Sequence, residues 1–463
     1  IPMPQFTGLT PVEMLGQTEF PRIGDHPYFL TLAPYGFYWF ELQEVHTSIT
    51  ARTAPVTEEP ATVPALFAGV VWDSILDGSM RLIVERQTLV PFLQRQRWFG
   101  GKARTIASAR FVDWAPLRTG AHPSFLTIVE TDYMDGARER YLLPLAMSSG
   151  ADAEKVDREF HGAVLARITG ARKGLLYDGL FDDATCSMLL AAIDEGRVFR
   201  TRHGRVAATN HGLSSDRVPI ERREPIARSA PDQSNTSVLF DRGLIMKLFR
   251  RVEPGPNPDV EISRHLMNRD FTRVPPLVGT LEYTRDGSDA ASVAMLQEFV
   301  RNEGNGWQVT IDELGRYFER RAGRPLPTMT TDDAAVVRDA IGTYLNTAEV
   351  IGRRTGELHI AMSSAGTDDE AFAPDTENSS DIAAAAAAMQ RHAGEQLDLL
   401  GRSLDRLDDR KRALAQQVLG RRDDLLRQFD ELRELRTPVT RIRCHGDYHL
   451  GQLLVSEGDI IIL

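Results

Sequence analysis

Cysteine is almost missing from this chain: Cys186 and Cys444 are the only two in 463 residues. That excludes a disulfide framework and a cysteine-rich zinc site. No apolar run approaches the ~20 residues of a membrane span, and the opening residues show no charged stretch followed by an apolar one. An excess of basic residues is also lacking. Lys plus Arg number 54 against 65 Asp plus Glu, a formal charge of −11, so no nucleic-acid or membrane partner is expected. What is present is ordinary globular material, 42% hydrophobic and 26% charged. At roughly 100–200 residues per domain the length suggests two to four domains. The expectation is a multidomain cytoplasmic protein.

The first residues read as strands, with Tyr28–Leu32 and Gly36–Leu42 rich in aromatic and β-branched types. Such a hairpin is too small to fold alone. Residues 47–64 hold three prolines and little bulk and read as a linker. Helix-like spacing follows over 82–99, then strands at Phe125–Val129 and Tyr141–Leu145 around a turn at Asp135-Gly136. A strand-rich stretch covers about 195–300. It includes Ser237–Phe240, a turn at Asp241-Arg242-Gly243, and Leu244–Phe249. After Gly304 the pattern becomes helical, and leucines at spacings of three, four and seven over 389–436 predict a helical hairpin packed on a core. A β-rich lobe followed by a helical lobe is the order of a two-lobed kinase.

The chemistry concentrates at His445-Gly446-Asp447-Tyr448-His449-Leu450-Gly451-Gln452. Kinase-type phosphotransferases use a loop Asp to take the acceptor hydroxyl's proton, with an amide ligand for Mg²⁺ five residues later. Asp447 and Gln452 have that spacing, and His445 stands two residues before the Asp. Asp232-Gln233-Ser234-Asn235-Thr236-Ser237 precedes a strand, where a turn would surround ATP phosphates. Ser234, Asn235 and Thr236 are its candidate phosphate contacts. Lys247, flanked by Met246 and Leu248 in the next strand, carries a desolvation cost that calls for a partner. Glu261, at the start of a helix-like stretch, is the expected one. Gln297, Glu298, Phe299 and Val300 follow a strand and form the expected adenine hinge.

Together these residues resemble the maltokinase family, a branch of the aminoglycoside-phosphotransferase-like kinases. The resemblance covers about residues 67–463. It adds Gln96-Arg97-Trp98-Phe99-Gly100-Gly101-Lys102 as a cap motif and Asn302-Glu303-Gly304-Asn305-Gly306-Trp307 after the hinge. It implies an α+β, two-lobed protein-kinase-like fold with an N-terminal cap subdomain, ATP and Mg²⁺ as cofactors, and maltose phosphorylated at its anomeric hydroxyl. Asp447 would be the base, His445 an orienting group, Gln452 a Mg²⁺ ligand, and Lys247 with Glu261 the phosphate clamp. Trp307, Tyr448 and His449 are candidate sugar contacts, Trp307 being equally readable as core. The segment from Leu15 to Phe40 resembles the end of a trehalose synthase C-terminal β-domain, so residues 1–43 read as a hairpin remnant of a fused or associated trehalose synthase. The expected order is this remnant, a linker over 44–66, a cap over 67–155, an N-lobe over 156–300 and a helical lobe over 301–463.

The family's second Mg²⁺ ligand belongs to an Asp-Phe-Glu-Gly-Glu-Pro segment expected just beyond Leu463, delivered by a strand at Ile460–Leu463. Asp459, on the far side of that strand, is not its expected substitute. Without the rest of the lobe the strand is expected to be an exposed edge. Two alternatives stay open: a related kinase for another hydroxyl acceptor, and a non-catalytic kinase-like scaffold for trehalose synthase.

Overall fold

The computed structural model describes residues 63–68, 72, 75–212, 225–228, 235–241, 243–322, 338, 341–364, 370–377, 379–433 and 439–463. Of the first 62 it describes only Phe6, 9–13, 18–19, Ile23 and 40–44. The expected strand at Tyr28–Leu32, most of the 44–66 linker and Ser234 lie outside these residues. The chain divides into two units: residues 1–188 with 232–234 and 310–342, and residues 189–231, 235–309 and 343–463. Among the described residues no helix is long and apolar enough to cross a membrane.

Near its start the first unit holds a small antiparallel sheet in the order Thr18–Glu19, Leu9–Glu13, Phe40–Glu44. Its main body is a seven-stranded sheet. Ala65–Ala68 runs parallel to Val164–Gly170, and then come Gly174–Asp178, Leu145–Ser148, Ser124–Tyr133 and Ile106–Arg118. Arg138–Leu142 pairs onto Ser124–Tyr133. Ser124–Tyr133 is buried at nine of its ten positions. This explains why Phe125–Val129 is apolar on both faces, since a strand covered on both sides need not alternate. Gly78–Val84 and Val90–Arg95 are helical, joined by a π turn at Glu85–Leu89. Pro91, with no N–H to give, interrupts the regular ladder at that point. Trp72, Phe92, Trp98, Phe99, Phe111, Phe125 and Tyr141 fill the core. The boundary expected at 155/156 falls inside this sheet, because Val164–Gly170 and Gly174–Asp178 belong to it; the unit runs on to 188.

The second unit is built on a wholly antiparallel seven-stranded sheet. Its order is Val198–Arg200, Gly204–Asn210, Leu277–Arg285, Ala291–Glu298, Leu244–Phe249, Asn235–Phe240, Pro225–Arg228. The turn at Asp241–Gly243 sets the register, pairing Phe240 with Leu244 and Ser237 with Lys247. The helix Pro258–Asn268 starts where sequence logic puts it: Pro258 fits the first turn, and Asn257 accepts from the Asp259 N–H at 2.9 Å. Val260 packs it onto the sheet with Phe249, Leu277 and Met295.

A second core joins Leu266, Leu358, Met362 and Phe372 to Leu453, Ile460 and Ile462. The strand Asp459–Ile462 pairs with Leu453–Ser456. Its Ile460 and Ile462 are each 1% exposed, so the strand's inner face is covered. The strand is the outermost of its three-stranded sheet, and its Ile462 N–H donates to the Arg273 carbonyl at 2.8 Å. The predicted helical hairpin is three helices: Ser379–Arg402, Asp409–Gly420 and Arg422–Arg433. The interruption lies at Asp408, whose carboxylate caps the second helix by accepting from the Lys411 N–H at 2.8 Å. Leu397 is buried as expected, while Leu399, Leu414 and Val418 stay exposed.

Candidate active site

Every described candidate residue belongs to the second unit. Gly446 has φ +90°, a conformation that glycine adopts without strain, and it turns the chain so that Asp447 projects outward. The Asp447 side chain is 77% exposed, open to a ligand. Gln452 Nε2 donates to Asp447 Oδ2 at 3.3 Å, so the two side chains read from their five-residue spacing do meet. His445 Nε2 donates to the Leu463 carbonyl at 2.6 Å, and its Nδ1 accepts from the Asp447 N–H at 3.3 Å. Those two bonds fix the tautomer. The Leu463 N–H donates to the Gln452 carbonyl at 2.8 Å, so the end of the strand is stapled to the loop at both atoms. His449 Nδ1 accepts from the Gly451 N–H at 3.0 Å, which leaves Nε2 facing Asp447 Oδ2 at 3.8 Å.

Tyr448 is placed differently from the sugar contact expected of it. Its hydroxyl bonds Thr355 Oγ1 at 2.7 Å, its ring meets His445 edge-on, and it packs against the Leu453–Ile462 core. Trp307 is 58% exposed in the first turn of the helix Gly306–Arg321, so it is not core. Its neighbour Gly306 approaches the loop so closely that a Cβ there would lie 2.9 Å from the Leu450 carbonyl oxygen. The residues before it strap the post-hinge segment to the loop's own hairpin. Gly304–Asn305 pairs with Leu454–Val455, and the Glu303 N–H donates to the Val455 carbonyl at 2.9 Å. Asn305 Oδ1 then caps the helix by accepting from the Gln308 N–H at 2.8 Å.

Lys247 is ion-paired, but with Asp259 and not with Glu261. Glu261 instead accepts from Arg443 at 2.6 Å. The reason is helical geometry: residues two apart are rotated by about 200°, so Asp259 and Glu261 leave opposite sides of one turn. Thr236 also departs from its expected role. Its side chain is buried at 2% exposure on the face away from Lys247, where its hydroxyl accepts from Arg250 Nε at 3.0 Å. Asn235 and Ser237 lie on the Lys247 face, Ser237 directly opposite Lys247 in the ladder. Ser237, Asp259 and Arg443 are the residues that the sequence reading missed. The tight turn at 241–243 contains the signal for Ser237, since it fixes the pairing. At the expected hinge the Glu298 N–H donates to Pro276 and the Phe299 N–H to Gly243, each at 3.0 Å, while the Val300 carbonyl accepts from Asn302 at 2.9 Å. Gln297 Nε2 donates to the Pro275 carbonyl at 3.5 Å.

Asp459 has a structural partner set. Both its oxygens accept from Arg354, at 2.8 and 2.7 Å, and Arg273 approaches at 3.2 Å. The Arg354 hydrogen bonds hold its carboxyl below the usual carboxylate range. In the first unit, the cap motif is largely packing. Trp98 and Phe99 are buried against Tyr141, and the Tyr133 and Tyr141 hydroxyls both donate to Glu139 Oε2, at 2.5 and 2.6 Å.

Among the described residues no three His, Cys, Asp or Glu side chains converge as a metal cage. Gln452 turns its amide nitrogen to Asp447, which leaves its carbonyl oxygen as a hard donor. Such an oxygen suits Mg²⁺ arriving with phosphates and water, its usual mode of binding.

Known proteins resemble this chain in pieces. The maltokinase N-terminal cap domain family matches residues 92–182, and the maltogenic amylase C-terminal domain family matches residues 1–39. A trehalose synthase/amylase of Mycobacterium tuberculosis (strain ATCC 25618 / H37Rv) is 63% identical over 38 residues, 8% of this chain and 6% of that protein. Its counterpart in Mycolicibacterium smegmatis is 60% identical over 40 residues, 9% of this chain and 7% of that protein. A trehalose synthase of Thermus thermophilus is 26% identical over 205 residues, 42% of this chain and 20% of that protein. The chain therefore spans only a small part of the relatives it matches. Among solved structures, a glucosamine kinase in complex with glucosamine, ADP and inorganic phosphate aligns with TM-score 0.45 and 17% identity, covering 83% of this chain and 72% of that one. An amylase-type tail followed by a maltokinase-type cap fits a trehalose synthase–maltokinase fusion, and the second unit behind the cap is α+β.

Proposed function

We propose that this chain, with a maltokinase-type cap behind a trehalose-synthase-type tail, transfers the γ-phosphoryl group of ATP to maltose. One observation carries the reading. A single turn of the helix Pro258–Asn268 pairs Asp259 with Lys247 and Glu261 with Arg443, at the head of the Asp447 loop. The phosphate cation and the exposed carboxylate therefore belong to one framework.

In this reading Asp447 accepts the proton of the attacking sugar hydroxyl as its oxygen bonds to the γ-phosphorus and the bond to the ADP oxygen breaks. Lys247 holds the phosphates, with Asn235 and Ser237 beside it on the same face. His445 keeps the loop in place through its two backbone contacts, and Gln452 steadies the Asp447 carboxylate. Glu298 to Val300 form the adenine edge, and exposed Trp307 offers a ring to the disaccharide. When bound, Mg²⁺ would neutralise charge on the phosphate oxygens, with the Gln452 amide oxygen as its donor from this loop. Product maltose 1-phosphate would feed α-glucan synthesis, with trehalose synthase as the source of maltose.

Maltose as acceptor is supported by the cap match, since the cap separates this reading from kinases of cationic amino alcohols or aminoglycosides. The test is ADP release by the full-length protein with Mg-ATP and a panel of acceptors. Turnover with maltose, and little with choline or an aminoglycoside, is the expected result. Turnover confined to a cationic acceptor would replace the substrate, and no turnover with any acceptor would favour the scaffold.

A further inference from the structure

The ion pair between Glu261 and Arg443 has no part in phosphate or sugar binding as read above, yet it spans 182 residues of sequence at 2.6 Å. Both side chains are mostly shielded, 22% and 31% exposed, so the pair is more than a solvated surface contact. Arg443 is held from a second side, where its guanidinium lies over the Phe372 ring at 5.4 Å. Phe372 is buried and stacks on His265, with ring centroids 3.8 Å apart and planes 8° from parallel. His265 in turn sits on the same helix as Glu261, one turn further along. Arg443 is thus gripped by two residues of one helix, one directly and one through an aromatic ring. It stands two residues ahead of His445 and four ahead of Asp447.

The same helix fixes Lys247 through Asp259. It is also tied to the sheet at its start, where the Asn257 N–H donates to Ser292 Oγ at 3.1 Å. A shift of this turn would therefore move the Lys247 clamp and the root of the Asp447 loop together. We infer that Arg443 is a positioning residue: with Glu261 it sets the Asp447 loop relative to the Lys247 clamp, so that phosphate and acceptor hydroxyl meet in register. This rests on the kinase reading, and it gives Glu261 a different task from the Lys247 partner anticipated for it.

The test compares the full-length wild type with Arg443→Met, Glu261→Gln, the double variant, and the charge exchange Glu261→Arg with Arg443→Glu. A misplaced loop costs turnover more than binding, on the order of tenfold to a hundredfold for displacements near 1 Å. Each single variant is expected to lose kcat on that scale, with the KM for ATP held within about twofold. The double variant should be no worse than either single, and the exchange should recover part of the loss. Unchanged kcat, losses that multiply in the double variant, or a raised ATP KM with kcat retained would each overturn the inference. Amide hydrogen exchange over 445–452 gives a readout free of catalysis. If the wild type phosphorylates no acceptor, the kinase reading fails, and the coupling is then judged by exchange alone. Faster exchange there in Glu261→Gln supports it, and unchanged exchange refutes it.

Discussion

Replacing Asp459 with Asn should destabilise the fold at neutral pH and stop mattering in acid. The strand Asp459–Ile462 is held to the helix Tyr344–Ser363 by Arg354, which donates to both Asp459 oxygens at 2.8 and 2.7 Å. Arg354 keeps a second acceptor, Glu357 at 2.6 Å, so the variant does not strand an unpaired guanidinium. What is lost is one charge-assisted hydrogen bond and the attraction of Arg273 at 3.2 Å. Hydrogen bonds to charged groups contribute roughly 1.5–3 kcal/mol and exposed pairs under about 1. At 23% and 17% exposure this pair lies between, so the expected loss is about 1–2 kcal/mol at pH 7. The pH dependence follows from the lowered Asp459 pKa. A carboxyl whose native pKa lies below its unfolded value of about 3.9 stabilises the fold above that value, and the contribution fades as pH falls through the native value. Urea unfolding of both proteins from pH 7 down to pH 3 measures this. The gap should be constant down to about pH 5 and shrink below pH 4. A gap that stays constant to pH 3, or none at pH 7, would refute the reasoning.

Other perturbations test separate parts of the account. Lys247→Met should weaken ATP handling without raising the maltose KM, because it removes the cation of the phosphate site; steady-state kinetics with each substrate varied will show which constant moves. Gly101→Ala should destabilise the cap by about 1–3 kcal/mol, the usual cost of overpacking. The new Cβ would lie 2.0 Å from a Tyr133 hydroxyl pinned by Glu139, and a lowered melting temperature is the readout. Burial, then the Glu139 bond, pushes the Tyr133 phenol up to about 12. Its contribution is therefore complete below pH 10 and lost as pH rises toward 12, which ultraviolet titration of the phenolates follows. Gly306→Ala should lower kcat by shifting the helix away from Leu450, with the KM for ATP unchanged.

Much of this arrangement is legible in the sequence, and the failures share a cause. Turn chemistry at Asp241–Gly243 predicts two strands and, followed through, places Ser237 beside Lys247. The five-residue spacing of Asp447 and Gln452 marks them out as a pair, and because a short loop constrains them locally their side chains meet. Lys247 pairs with Asp259 where the sequence points to Glu261, because both begin the same helix and only its rotation on the sheet decides which one faces the strand. Arg443 was invisible for a related reason: its partner is remote in sequence, and nothing local to Ile442-Arg443-Cys444 demands one. The expected boundary at 155/156 falls between strands of one sheet, because strand patterns do not reveal which sheet a strand joins. Ser124–Tyr133, buried on both faces, belongs to the same sheet as Val164–Gly170, and only tertiary pairing shows it.

The central claim is that Asp447 takes the acceptor proton in phosphoryl transfer to maltose. Transfer of labelled γ-phosphate from ATP to maltose by the full-length protein, wild type against Asp447→Asn, tests it most directly. The account predicts labelled maltose phosphate from the wild type and a kcat lower by ~10²–10⁴-fold in the variant, the scale of a positioned general base. The KM for ATP should barely change. Near-full turnover in Asp447→Asn, or a loss expressed only in the KM for ATP, would contradict it.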